Sequence, residues 1–188
     1  GHTHLSPEEL EKLETLQLKG RYTKYQKTLD AFLFCCYAGM RYSDFVNMKP
    51  DNIVEMHQET WLIYKSIKTG TEVRLPLYLL FSGKGILILN KYQANLQDFF
   101  HLRDNSNVNK ELIIIARLAG VAKKVSFHTA RHTNATLLIY NGVNITTVQK
   151  LLGHKSVKTT QIYTNVMDAT IISDLEKNHS SVHRKKGK

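Results

Sequence analysis

The spacing of the apolar residues changes period twice along the 188-residue chain, and this constrains the fold more than any other feature. From Leu5 to Met48 the pattern is helical. Ser6-Pro7-Glu8-Glu9 is a helix start: Ser6 caps, Pro7 stands where no amide bond is lost, and Glu9 closes a capping box. Leu10, Leu13 and Leu16 follow near helical spacing, with Gly20 as the stop. A second helix is expected over Thr23–Ala38, with Leu29, Phe32, Leu33, Cys36 and Tyr37 as its stripe and Gly39 as its end. A short third helix over Ser43–Met48 stops before Pro50. The period then shortens. Asn52–Met56, Thr60–Ser66 and Thr71–Leu75 read as strands, with Lys68-Thr69-Gly70 at a hairpin tip. Helical patterns resume over Gly85–Tyr92, Asn107–Leu118, His128–Tyr140, Ile145–Leu152, Val157–Ile162 and Ala169–Lys177. The expected fold class is mainly α with a small three-stranded antiparallel sheet. Residues 1–178 are expected to form one domain, and 179–188, with His183-Arg184-Lys185-Lys186, a disordered basic tail.

Lysines and arginines number 26 against 16 acids, a net charge of +10. That excess favours a polyanionic partner and leaves the fold undetermined. Cys35 and Cys36 are adjacent in an apolar run, so core packing in a reducing cytosol is the expectation rather than a disulfide. The longest apolar run, Ala31–Met40, is ended by Arg41 and is too short for a membrane span. Gly1-His2-Thr3-His4 reads as a cloning remnant, so the natural chain is expected to extend upstream.

Four segments carry chemistry. Arg41 follows a helix stop and precedes Asp44 by three residues. Lys68 sits at the hairpin tip. His128 and Arg131 are three apart on one helical face. His154 follows the stop in Leu151-Leu152-Gly153, and Tyr163 comes nine residues later. Each alone is an ordinary surface or core residue; together they describe a phosphate site. Two arginines clamp non-bridging oxygens, two histidines donate hydrogen bonds or move a proton, and a lysine protonates a leaving alkoxide. A tyrosine hydroxyl supplies a nucleophile where cations favour its phenolate.

Arg41, Lys68, His128-x-x-Arg131, Leu151-Leu152-Gly153-His154 and Tyr163 resemble the active-site set of the tyrosine recombinases, or phage-type integrases, in order and spacing. The resemblance runs from about Leu5 to Met167 and is densest over LLGHKSVKTTQIYTNV. It implies that family's catalytic-domain fold and site-specific DNA breaking and rejoining like that of type IB topoisomerases. Tyr163 would attack a phosphodiester of double-stranded DNA, giving a 3′-phosphotyrosyl link and a free 5′-hydroxyl. Arg41, Arg131 and His154 would hold the phosphate, His128 would contact it or transfer a proton, and Lys68 would be the general acid. No cofactor, metal or ATP is implied. Asp44 falls where the family often carries an acid, either orienting Arg41 or standing as a plain helix-face carboxylate.

The resemblance further implies an amino-terminal DNA-clamp domain that this chain lacks, so the chain is expected to be a monomeric catalytic fragment with weak DNA binding. The full-length protein is expected to act as a homotetramer on two DNA sites, with accessory DNA-bending proteins, in a bacterial cytoplasm at the nucleoid. Ile171, Ile172 and Leu175 form a stripe that either packs on its own core or docks on a neighbouring protomer. Thr129, Ala130 and Asn134 depart from the family's usual residues. Two rivals remain. A metal nuclease could use His128, His132 and His154, although Thr129 stands where an HExxH glutamate belongs. A DNA-binding module without catalysis fits the charge equally well but leaves Tyr163 and the histidines without a task.

Overall fold

Ser6 begins helix α1 (Pro7–Glu14) by the expected device: its hydroxyl accepts from Glu9 N–H at 3.1 Å, and Glu9 Oε1 accepts from Ser6 N–H at 2.9 Å. The structure, a computed structural model, describes residues 3–154 and 168–178. The expected helix over 157–162, Tyr163 and the basic tail over 179–188 lie outside the described residues. α1 stops at Glu14, short of Gly20: after Thr15 N–H bonds the Glu11 carbonyl at 2.9 Å, Leu16 N–H turns to the Leu13 carbonyl at 3.4 Å, a tighter closing turn. A 3-10 turn over Gly20–Tyr25 then leads into α2 (Gln26–Ala38).

Every residue of α2 from Thr28 to Ala38 is buried. A helix apolar on all sides belongs at the centre, and the other elements pack around it. α3 (Tyr42–Val46) follows the Gly39 turn. The sheet has the order β1–β2–β3, both pairs antiparallel, built from β1 (Ile53–Met56), β2 (Glu59–Lys65) and β3 (Glu72–Pro76). Leu62 and Tyr64 of β2 and Val73 and Leu75 of β3 share its buried face, as strand alternation requires.

α4 (Lys84–Lys91), α5 (Leu96–Phe100), α6 (Asn105–Ala119), α7 (Phe127–Tyr140) and α8 (Ile145–Leu152) complete the continuous part, and residues 168–178 form a further helix. The short α5 escaped the periodicity argument: five residues are too few to show a repeat, and its Asn95 cap, accepting from Asp98 N–H at 3.0 Å, was the readable sign. Phe45 of α3 meets Phe99 and Phe100 of α5 edge-on, with ring centroids 5.4 and 5.5 Å apart, and contacts Phe127 of α7 at 6.1 Å. This aromatic cluster sets α3 against α7. Cys35 and Cys36 are free and buried, and burial pushes both thiols up. Ile171, Ile172 and Leu175 are exposed among the described residues. No helix of the described residues is long and apolar enough to cross a membrane.

Gly39 is a tight joint between α2, α7 and α8. It caps α2 in the left-handed region at φ +73°, and a Cβ there would lie 2.8 Å from Asn134 Oδ1 and 3.0 Å from Leu152 Cδ2. Asn134 also donates to the Tyr37 carbonyl at 3.1 Å, making a polar tie between α2 and α7. Gly39→Ala is therefore expected to lower the unfolding free energy by about 1–3 kcal/mol, read from urea denaturation.

Candidate active site

The left-handed turn at Gly39 sends the chain into Arg41, the extended residue that caps α3. Asp44 sits one turn on and is buried. Its Oδ1 accepts from Ile67 N–H at 2.9 Å, and its Oδ2 accepts from the Ser66 hydroxyl at 3.3 Å. Arg41 Nη1 donates to Ser66 Oγ at 3.3 Å and lies 3.9 Å from Asp44 Oδ2. Asp44 thus faces Arg41 and the sheet, and is not a solvated helix-face acid.

Lys68 stands exposed in the β2–β3 turn, as expected. The turn is closed at its base by Ser66 N–H to the Thr71 carbonyl at 2.9 Å and Gly70 N–H to the Ser66 carbonyl at 2.8 Å. His128 lies exposed in the first turn of α7. That turn is held by a Ser126–Thr129 capping box and by Phe127 N–H donating to Asn109 Oδ1 at 2.7 Å. His132, one turn further, is buried with its ring edge-on to His128 at 4.7 Å. Among the described residues no group of three or more His, Cys, Asp or Glu side chains is arranged to hold a metal ion.

Arg131 is the largest fully buried side chain, at 0% exposure. Its Nη1 donates to the Gly39 carbonyl at 2.7 Å, and its Nη2 to the Leu152 carbonyl at 2.9 Å. Nη2 also meets His154 Nε2 at 3.1 Å. A guanidinium only donates, so His154 accepts through Nε2 and carries its proton on Nδ1. Burial, then Arg131, Arg41 and Lys68 hold His154 down at about 4, so it is neutral at pH 7. Burial, with Arg41 next in size, pushes Arg131 down to about 10, still protonated at neutral pH. Arg131 Nε is buried with no hydrogen-bond partner among the described residues.

Arg41, Lys68 and His128 line one open cleft of about 300 Å³, together with Tyr42, Asn109 and Ser126. Three segments far apart in sequence therefore meet, and the charges of Arg41 and Lys68 reach His154 while that of Arg41 reaches Arg131. Tyr163 lies outside the described residues. Sequence reasoning missed Ser66 and Asn109. Ser66 closes the lysine turn two residues before Lys68, and Asn109 shows only as a polar residue on the turn after the α6 cap.

A positively charged cleft with a buried orphan donor, framed by this fold, is the setting of a phosphate-handling domain. The chain belongs to the phage integrase family, whose model matches residues 4–170. It is 29% identical to the tyrosine recombinase XerD of Lacticaseibacillus casei over 180 residues, covering 89% of this chain and 60% of that protein. Identity to the tyrosine recombinase XerC of Rickettsia bellii is 31% over 163 residues, covering 81% of this chain and 50% of that one. The crystal structure of XerA recombinase matches with a TM-score of 0.71 at 26% identity, covering 94% of this chain and 65% of that chain. A lambda integrase dimer bound to a COC′ core site shares the fold, with a TM-score of 0.65 at 20% identity, covering 87% of this chain and 59% of that one. The chain thus spans 60% and 50% of the lengths of the two curated relatives.

Arg131→Ala strands two buried carbonyls, each worth about 1–3 kcal/mol, so urea denaturation without DNA should show a loss of about 2–5 kcal/mol. For His154 the folded chain binds the proton less tightly than the unfolded chain, whose value is near 6.5. The unfolded state therefore holds more protons between pH 6.5 and about 4, and stability falls as the pH drops through that range. Imidazole NMR should place the His154 midpoint near 4; a midpoint near the ordinary value would refute the buried, cation-flanked environment.

Proposed function

We propose that this chain is the catalytic domain of a tyrosine site-specific recombinase that cuts and rejoins double-stranded DNA without metal or ATP. The observation that supports this most is the convergence of Arg41, Lys68 and His128 on one cleft, electrostatically tied to the buried Arg131 and its half-buried partner His154. A phosphodiester is the anion such a site suits. Neutral His154, accepting from Arg131 through Nε2, would have its Nδ1–H left to donate to the phosphate.

In this reading the Tyr163 oxygen attacks phosphorus in line with the 5′-oxygen. The tyrosyl O–P bond forms, the P–O5′ bond breaks, and Lys68 gives its proton to the leaving 5′-oxygen. Arg41 and Arg131 offset the charge that grows on the non-bridging oxygens, and His128 accepts the phenolic proton or contacts the phosphate. The phosphotyrosyl bond retains the phosphodiester energy. A 5′-hydroxyl from another strand then attacks it, expelling tyrosine, which is strand exchange.

The same reading places the full-length protein in a bacterial cytoplasm at the nucleoid, as a homotetramer on two DNA sites with DNA-bending helpers, moving a phage or mobile element in or out. Solved structures supply a precedent in a lambda integrase tetramer bound to a Holliday junction. The exposed Ile171, Ile172 and Leu175 would then meet a neighbouring protomer.

The decisive experiment traps the covalent intermediate on nicked DNA in EDTA. The full-length protein should yield a denaturation-resistant adduct, and Tyr163→Phe should reduce it by at least about 10³-fold while sparing DNA binding. An adduct that needs divalent metal would support the nuclease rival. DNA binding without any adduct would leave a non-catalytic module.

A further inference from the structure

Arg41 and Asp44 form an ion pair at arm's length. Their closest atoms, Nη1 and Oδ2, are 3.9 Å apart, well beyond the roughly 2.7–2.9 Å of a direct charge-assisted hydrogen bond. The Ser66 hydroxyl stands between them at 3.3 Å from each. We propose that Ser66 is a positioning residue for Arg41, a hydroxyl spacer that aims the guanidinium into the cleft and keeps it from collapsing onto Asp44. The proposal rests on the recombinase reading above.

The polarity of this bridge is forced. A guanidinium cannot accept and a carboxylate cannot donate, so the single Ser66 proton points to Asp44 and the oxygen lone pairs face Arg41. Ser66 is only 2% exposed, and the Asp44 side chain 1%, while the Arg41 side chain keeps 17%. The cation is thus held at the cleft wall by partners that solvent does not reach. Asp44 is itself pinned, because its other oxygen accepts from Ile67 N–H. The main chain of Ser66 closes the turn that carries Lys68. One residue therefore registers the phosphate-facing arginine against the lysine turn.

Without the hydroxyl, the two charges can close the gap and pair directly. The fold loses little by that exchange, since a direct ion pair replaces a relayed one. The cost falls on Arg41, whose donors turn from the cleft to the carboxylate. Ser66→Ala is accordingly a change in aim rather than in integrity.

The test uses the full-length protein, native and Ser66→Ala, in single-turnover cleavage of nicked DNA at saturating concentration. Two DNAs are compared, one with an ordinary scissile phosphate and one with a methylphosphonate there, which removes the non-bridging charge that Arg41 would offset. On ordinary DNA, Ser66→Ala should cleave about ten- to hundredfold more slowly, the range set by losing one hydrogen bond to a charged group, with melting temperature and DNA affinity unchanged. On methylphosphonate DNA the deficit should shrink to within about threefold. A native rate on ordinary DNA overturns the proposal, and so does an equal deficit on both DNAs, which marks a general structural loss. If the native protein itself forms no adduct on either DNA, the recombinase reading fails and this inference with it.

Discussion

The guanidinium of Arg131 is a charge placed where no solvent reaches it, and the wall of the candidate site depends on how it is satisfied. Its donors go to the carbonyls that end α2 and α8 and to the His154 ring. A buried charge is tolerated only when hydrogen bonds replace its lost hydration. That requirement brings the C-termini of two helices to the middle of a third. The Gly39 turn, the Leu152 carbonyl and the α7 helix are therefore one mechanical unit, and Arg41, two residues past Gly39, inherits its position from it.

The electrostatics around this unit are lopsided. Arg131, Arg41 and Lys68 all bear on His154, and Asp44 is the carboxylate that Arg41 faces. Like charges held together raise the free energy of the empty site, and an entering anion relieves them. Burial keeps the imidazole neutral first, and the three cations add to it.

Much of this was legible in the chain. The capping box at Ser6, the glycine stops at Gly39, Gly120 and Gly153, and the shift to strand spacing after Pro50 are local codes, and the elements formed where those codes stand. The early end of α1 is a change in backbone bonding, and the brief α5 rests on one capping side chain; periodicity registers neither. Arg41, Lys68, His128, Arg131 and His154 were legible as a set through motif order, yet their division of labour was not. Nothing in a linear reading distinguishes Arg131, spent on backbone carbonyls, from Arg41 at the cleft, because burial is a property of the packed helices. Ser66 was invisible for the same reason: a serine at a strand end acquires meaning only from the arginine and aspartate that another helix brings to it.

Both direct acceptors that fix Arg131 across the helix ends are main-chain oxygens. No codon specifies a carbonyl, so the identity of Leu152 can drift without changing the atom that the arginine grips. For these two bonds only the path of the backbone is under constraint, and at Gly39 and Gly153 that path excludes a side chain. The main-chain part of this anchor is thereby insulated from most single-residue change, and its vulnerability is concentrated at two glycines, Gly39 and Gly153, whose added Cβ atoms would lie 2.8 Å from Asn134 and 2.7 Å from Val73.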